Sequence, residues 1–269
     1  MLPSVSIQRG QVNSSAAEIY DEFFVPALFQ RWAASVADAA EVAAGQRALD
    51  IACGTGVLTR ELAARVAPGG DVTGLDVNEG MLTVARRRSP SITWEHGQAE
   101  ALPFDEDRFD AVTCQFGLMF FRNRKQAVRE MLRVLRPGGR VAVAVWDKLD
   151  NVPGYAAAST LLHRLFGADV AEALRAPYCL GDVSVLRELF DDSSLTGLSV
   201  ETRDGVVEFP SIQDWMYTDI KGWTLADTLD DDQYSRLLQE ASTTLAEFVR
   251  SDGQVEFASP IHIVSGEKA

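Results

Sequence analysis

The stretch Ala48–Arg65, reading ALDIACGTGVLTRELAAR, narrows the possible folds of this chain more than any other. Ala48–Ala52 is a short apolar run carrying one acid, Asp50, and Cys53-Gly54-Thr55-Gly56 is a tight turn. From Val57 to Arg65 the apolar residues Val57, Leu58, Leu62 and Ala63 recur at helical spacing. The order is strand, glycine loop, helix. Glycines let a backbone pass close to a ligand, and a helix N-terminus presents unpaired N–H groups. Such a unit opens a nucleotide-type site at the carboxyl edge of a parallel sheet.

The residues around the loop bear on which nucleotide is held. The dinucleotide fingerprint would place a third glycine where Thr59 stands. Asp50, four residues before Gly54, would repel a pyrophosphate and attract an ammonium group. Asp76, twenty residues after Gly56, closes the run Asp71–Leu75, and an acid there can accept hydrogen bonds from both hydroxyls of a ribose. The expected ligand is a nucleoside carrying a cationic amino acid.

The rest of the first half alternates strand and helix. Strands are predicted at Arg47–Ile51, Asp71–Asp76, Ile92–Glu95, Ala111–Cys114 and Arg140–Trp146, with helices at Thr55–Val66, Glu79–Arg88 and Arg124–Leu135, the last broken by Pro137-Gly138-Gly139. That alternation gives an α/β fold, a doubly wound Rossmann-like sheet with helices on both faces, in which strands one and four are neighbours. Before it, 1–12 is loose, and Ser14–Ala44 is helical in composition, broken at Pro26 and rich in aromatic residues (Tyr20, Phe23, Phe24, Phe29, Trp32).

Four motifs in order resemble one family. Asp50-Ile-Ala-Cys-Gly-Thr-Gly56 is similar to motif I of class I S-adenosylmethionine-dependent methyltransferases. Gly74-Leu-Asp76-Val-Asn-Glu-Gly-Met81-Leu is similar to their second motif, and Gly97–Phe104 followed by Phe109-Asp110 to their third. Met131–Gly139 resembles the segment leading into strand five. Order and spacing match across 47–146, and the nearest subgroup is the ubiquinone/menaquinone C-methyltransferases and their small-molecule relatives. The resemblance implies a mostly parallel seven-stranded sheet with an antiparallel last strand, assigned to Val255–Val264, with Ser194–Arg203 as strand six. Segments 47–150, 194–209 and 251–269 then form the cofactor-binding core, and 1–46 covers the cofactor. Segments 151–193 and 210–250, helical in character, form a cap over the substrate site.

The implied cofactor is S-adenosylmethionine, leaving as S-adenosylhomocysteine. Asp50 attracts the methionine ammonium, directly or through water, or else bonds the glycine loop. Ala52, Gly54 and Gly56 offer backbone groups, Ala52 standing where many relatives have glycine, and Thr55 caps the following helix. Asp76 takes the ribose hydroxyls, and Val77 and Met81 flank the adenine, with core packing the competing role for Met81. Gln98 replaces a common acid and can still accept from the adenine amino group, and Ala99 gives its N–H to an adenine nitrogen. Cys114 and Gln115 end strand four beside the methionine part, and Tyr20 and Trp32 cover the cofactor from the N-terminal helix.

Composition excludes several alternatives. Net charge is −14, from 25 basic and 39 acidic residues, which argues against a nucleic-acid-binding face. Arg86-Arg87-Arg88 reads as a solvated helix end. Cys53, Cys114 and Cys179 have no metal spacing and fit a reduced cytoplasm. No apolar run reaches membrane-spanning length, and no metal site is expected. Oligomeric state stays open.

Methyl transfer from a sulfonium is an in-line displacement in which the cofactor brings the electrophile. The protein must orient the acceptor and exclude water. A base is needed only where the nucleophile is protonated, so the acceptor is less legible than the donor. The Asn/Asp-Pro-Pro-Tyr/Phe motif and the Pro-Cys nucleophile of nucleic-acid methylating enzymes are absent from the sequence. His96 reads as structural or exposed, and His262 as facing away. Tyr20, His163 and Tyr178 are the weak candidates for a catalytic group. The expected acceptor is a small apolar or aromatic molecule, methylated on O, N or C, under a cap contributing Trp215, Tyr217 and Trp223. An NAD(P)-dependent oxidoreductase and a non-catalytic S-adenosylmethionine-binding protein are the competing readings.

Overall fold

The computed structural model describes residues 14–191, 194–221 and 229–269. Its frame is a seven-stranded sheet in the order β3-β2-β1-β4-β5-β9-β6. The strands are β1 (Arg47–Ile51), β2 (Asp71–Asp76), β3 (Thr93–His96), β4 (Phe109–Gln115), β5 (Leu135–Trp146), β6 (Leu195–Arg203) and β9 (Ile261–Lys268). The first five pair in parallel, and β9 runs antiparallel between β5 and β6. β1 and β5 are buried along most of their length, as central parallel strands covered on both faces must be. Helices α3 (Val57–Val66), α4 (Glu79–Arg88) and α5 (Arg124–Val134) provide that cover. Asn78 and Asn123 cap the last two, accepting from the Met81 and Gln126 amides at 3.2 and 3.1 Å.

Three local expectations need correction. Pro26 does not break the N-terminal helix. α1 (Ser14–Ile19) and α2 (Gln30–Ala39) are joined by a π-helical run, Tyr20–Phe29, whose wider turn accommodates a proline without its amide. The stretch 255–264 is two strands, because Pro260 has no N–H to continue a ladder. Its first half, β8 (Val255–Ala258), pairs with β7 (Val206–Phe209) as a separate antiparallel ribbon. Thr55 does not cap α3, whose N-cap is Gly56 at φ +88°.

The remaining helices lie in the two stretches outside the sheet. α6 (Pro153–Phe166), α7 (Ala168–Arg175), a 3-10 turn at Ala176–Tyr178 and α8 (Val183–Glu188) form the first. α9 (Ile212–Lys221) and α10 (Asp231–Thr244) belong to the second. An aromatic cluster joins them to the ribbon: Trp215 stacks on Phe209 at 5.8 Å and meets Phe257 at 4.8 Å and Tyr155 edge-on at 5.8 Å. His262 is buried, contrary to a position facing away. Its Nε2 lies 2.9 Å from Asp147 and 3.1 Å from the Gly181 carbonyl, so it ties the first helical stretch to the sheet. Among the described residues no helix is long and apolar enough to cross a membrane.

Candidate active site at the carboxyl edge of the sheet

The ends of β1, β2 and β4 converge on the glycine loop. Asp50 is 1% exposed, and its two oxygens are taken by hydroxyls, Thr59 of α3 at 2.6 Å and Thr113 of β4 at 3.2 Å. It therefore fastens strand to helix and to the neighbouring strand, a role distinct from bonding the glycine loop. Burial outweighs those hydrogen bonds, and its carboxyl is pushed up to about 7. Thr59, where a dinucleotide site has glycine, is the residue that holds this acid. Asp76 is also buried, accepting from the Gly54 amide through one oxygen and the Asn78 amide through the other, both at 2.8 Å. Burial raises its pKa too, against the pull of those amides. The carboxylate thus shapes the loop and retains acceptor capacity.

The backbone is strained where these strands end. Ala52 sits at φ +56° and Phe116, after β4, at φ +55°, a region that side chains other than glycine avoid. Gly56, at φ +88°, has a local role: a β-carbon there would lie 2.3 Å from the Trp94 indole, and one at Gly74 would lie 2.5 Å from it. The clearance at Gly56 admits this tryptophan of β3, which packs with Cys53, Leu82 and Ala85. Gly54 alone of the loop pair faces the N-terminal segment, with the Tyr20 hydroxyl 3.7 Å from where its β-carbon would stand.

The N-terminal segment does lie over the loop. Tyr20 stacks between Phe24 and Phe29, at 5.7 and 5.2 Å, and its hydroxyl is driven far up by burial and then by the negative field of Asp76 and Asp21. Arg87 pairs with Glu18 at 2.8 Å and Arg88 with buried Asp21 at 2.6 Å, so two of the three arginines expected to be merely solvated fasten this segment to α4. Gln115, at the end of β4, donates to the Phe29 carbonyl at 3.1 Å. Its Oε1 and the Thr55 hydroxyl are buried without a hydrogen-bond partner. Trp32 is turned elsewhere, packing on Gly205 in the turn between β6 and β7.

The other predicted residues divide. Met81 is buried beside Ala17, Val84 and Tyr20. Val77 is 42% exposed with its carbonyl 3.0 Å from His96 Nε2. Gln98 is exposed and bridges to Ala101, while Ala99 is buried. Cys114 is a buried free thiol, pushed up by burial and then by Asp50. His163 is exposed on α6. Trp215 is fully buried, held in the aromatic cluster and bonded to Asp219, so its ring is core. Tyr217 is 38% exposed and meets Phe23 edge-on at 5.8 Å. Trp223 lies outside the described residues.

Beside the loop is a narrow aromatic cleft, lined by Phe29, Trp146, Tyr155, Leu174, Pro177 and Tyr178. Its floor is a stacked pair, Phe116 and Trp146, with centroids 4.0 Å apart at the ends of β4 and β5. Tyr178 stands 6.5 Å from Trp146 and 6.0 Å from Tyr155. A larger concavity, about 280 Å³, lies between α5 and α8 around Arg129 and Leu189 and holds none of the predicted site residues. Sequence reasoning passed over Trp94, Phe116, Trp146, Tyr155 and Asp219. Phe116 and Trp146 had a readable signal, since each lies at the carboxyl end of a predicted strand. The single acid among apolar neighbours in Trp215-Met-Tyr-Thr-Asp219-Ile was another.

With this geometry in hand, comparison with known proteins is decisive on family. The model of the ubiE/COQ5 methyltransferase family matches residues 9–165, more than half of the chain. The chain belongs to this family. It is 47% identical over 115 residues to a demethylmenaquinone methyltransferase of Renibacterium salmoninarum, covering 43% of this chain and 47% of that protein. It is 39% identical over 150 residues to the ubiquinone/menaquinone biosynthesis C-methyltransferase UbiE of Ectopseudomonas mendocina, covering 52% and 59%. The chain thus spans about half the length of the curated relatives it matches. Among solved structures, the YcgJ protein of a Bacillus superposes with a TM-score of 0.60 at 19% identity, over 88% of this chain and 98% of that one. The Haemonchus contortus phosphoethanolamine N-methyltransferase 2, in complex with S-adenosyl-L-methionine, superposes with 0.63 at 18%, over 99% and 60%. These structural likenesses establish the shared Rossmann-like fold, and the matched segment ends within α6.

Proposed function

We propose that this protein is an S-adenosylmethionine-dependent methyltransferase acting on a small aromatic acceptor of the quinol type. The observation that carries the reading is the uncompensated acidity of the site. Asp50 and Asp76 are buried side by side at the sheet edge, each raised by burial, and Asp76 pushes Asp50 higher still. Such a site favours a cationic ligand and disfavours the phosphates of a dinucleotide. Two further features fit the group: the loop amides approach a ligand closely at Gly54, and Thr55 and Gln115 each have a buried polar atom awaiting a partner. The oxidoreductase reading is accordingly not favoured.

The cofactor supplies a methyl carbon bonded to a sulfonium, an electrophile and leaving group in one. Within this chain, Asp76 and the Gly54 loop bind the nucleoside part, the field of Asp50 favours the cationic part, and Tyr20 with Phe29 excludes water from above. The aromatic cleft orients a flat acceptor against Trp146 and Phe116, and positioning supplies most of the rate. Segments 151–193 and 210–250 act as the cap that selects the acceptor, and the protein works in the cytoplasm on a small molecule. Relatives' names point to a quinone ring, which an aromatic cleft of this kind suits.

Calorimetric titration with S-adenosylmethionine, S-adenosylhomocysteine and NADH tests the donor. Saturable binding of the first two alone is expected, and binding of NADH alone would overturn the reading. Donor binding without methylation of any quinol would leave the non-catalytic alternative in its place.

A further inference from the structure

The aromatic cluster of the second helical stretch encloses one charge-bearing group. Asp219 is 3% exposed, on α9. Its Oδ1 accepts from the Tyr155 hydroxyl at 3.2 Å and its Oδ2 from Trp215 Nε1 at 2.7 Å. The titratable groups facing it from other elements are Tyr155 of α6 and Tyr178 of the turn after α7. Phe257 of β8 closes the Tyr155 side, edge-on at 5.3 Å. Among the described residues no cation pairs with Asp219.

A carboxylate is a costly way to join two helices when an apolar pair would serve. This one sits behind Tyr155, and Tyr155 lines the aromatic cleft with Tyr178. Donor and carboxyl are therefore arranged in series: cleft, phenol, acid. We infer that Tyr155 and Asp219 form a proton-accepting pair for a hydroxyl of the methyl acceptor, Tyr155 meeting the acceptor and Asp219 acting through it as the positioning residue. The inference rests on the methyl-transfer reading above.

The step balances within these groups. The acceptor's O–H proton passes to the Tyr155 oxygen as the Tyr155 proton passes to Asp219 Oδ1. What remains is a neutral phenol, a neutral carboxylic acid and an acceptor oxyanion, whose electron pair enriches the ring for attack. Burial pushes the Asp219 carboxyl up to about 7, against the two hydrogen bonds that favour its ionised form. Above that pH it is free to take a proton, and a base near the working pH is the efficient choice.

The test begins with binding. Wild type, Tyr155→Phe and Asp219→Asn, each loaded with S-adenosylhomocysteine, are titrated calorimetrically at pH 6 and pH 8. The probes are 1,4-naphthohydroquinone, kept reduced under argon, and its dimethyl ether. Wild type should prefer the hydroquinone at least about tenfold at pH 8, a difference of about 1.4 kcal/mol, and both variants should lose that preference while binding the cofactor product normally. Methyl transfer from S-adenosylmethionine to the same hydroquinone should then fall about 10²- to 10⁴-fold in both variants. The wild-type rate should decline below about pH 7, and that limb should be missing from both variants. Tyr155→Phe removes only a hydroxyl, so it remains informative if Asp219→Asn fails to fold. Variants that keep the hydroxyl preference and the pH limb overturn the pair. So does a wild type that binds the donor yet prefers the ether or leaves the hydroquinone unmethylated. Failure to bind S-adenosylmethionine at all overturns the methyl-transfer reading itself.

Discussion

Replacing Asp50 by asparagine isolates what a buried acid costs this fold. The side chain is 1% exposed, so solvent screening offers no relief. Its carboxyl titrates near 7 in the folded protein against a model value of 3.8; that gap corresponds to about 4 kcal/mol disfavouring the ionised form. The sign follows from proton counts. Between the two values the folded chain holds a proton that the unfolded chain has released, so stability falls as pH rises and levels off above 7. Asparagine has no such dependence. It keeps one acceptor for a threonine hydroxyl and loses part of the other bond, a pH-independent cost of about 1 kcal/mol. Asp50→Asn should therefore gain about 3 kcal/mol relative to wild type between pH 5 and pH 8. Asp219 is present in both proteins and cancels in that difference. Urea denaturation of the pair at the two pH values measures it. A gap that stays constant from pH 5 to pH 8 would refute the claim that this carboxyl is protonated in the folded protein near neutrality.

Other substitutions probe the neighbouring parts. Gly56→Ala places a β-carbon 2.3 Å from the Trp94 ring. It should cost about 2–5 kcal/mol in denaturation, combining overpacking with a left-handed backbone, and adding Trp94→Leu should return the packing share. Arg88→Ala leaves Asp21 buried without its ion-pair partner. Hydrogen exchange across 17–29 should rise with a loss of about 1–3 kcal/mol, and unchanged protection would mean the pair does not hold the segment down. Asp76→Ala removes the acceptor of the Gly54 and Asn78 amides. Calorimetry should show S-adenosylmethionine affinity reduced more than about tenfold, with circular dichroism unchanged.

The parts of the fold legible in the sequence are those where two signals agree. Asp71–Asp76 and Glu79–Arg88 are observed at the predicted limits, because an apolar strand, an Asn cap and a helical stripe all mark the same boundaries. Where one residue carries two meanings, the reading strays. Pro26 signals a break, yet a π-helical turn absorbs it; which outcome prevails depends on the aromatic packing of Tyr20, Phe24 and Phe29, not on local propensity. Gly56 signals a ligand, yet its space is taken by Trp94, which is 38 residues away in the chain. The loop carboxylates were visible because charge in an apolar run is conspicuous. The Tyr155–Asp219 pair was not, because its members stand 64 residues apart and meet only when α6 and α9 pack.

The same acidity makes the donor reading testable without an acceptor. A ligand carrying positive charge binds better when Asp50 is ionised, so its binding must expel protons wherever that carboxyl is partly protonated. At pH 7 Asp50 is about half protonated. A tenfold downward displacement of its equilibrium by the ligand would release roughly 0.4 proton. S-adenosylmethionine and S-adenosylhomocysteine share their nucleoside and amino-acid parts and differ by one methyl and one positive charge. The difference between them therefore isolates the sulfonium. Titrations at pH 7 in buffers of unlike ionisation enthalpy should show more proton release with S-adenosylmethionine than with S-adenosylhomocysteine. In Asp50→Asn that excess should vanish while S-adenosylhomocysteine affinity changes little. Equal proton release for the two ligands in wild type would mean that the sulfonium lies beyond the reach of this carboxylate, and the buried acid would then be a fastening of β1 to α3 and β4 alone.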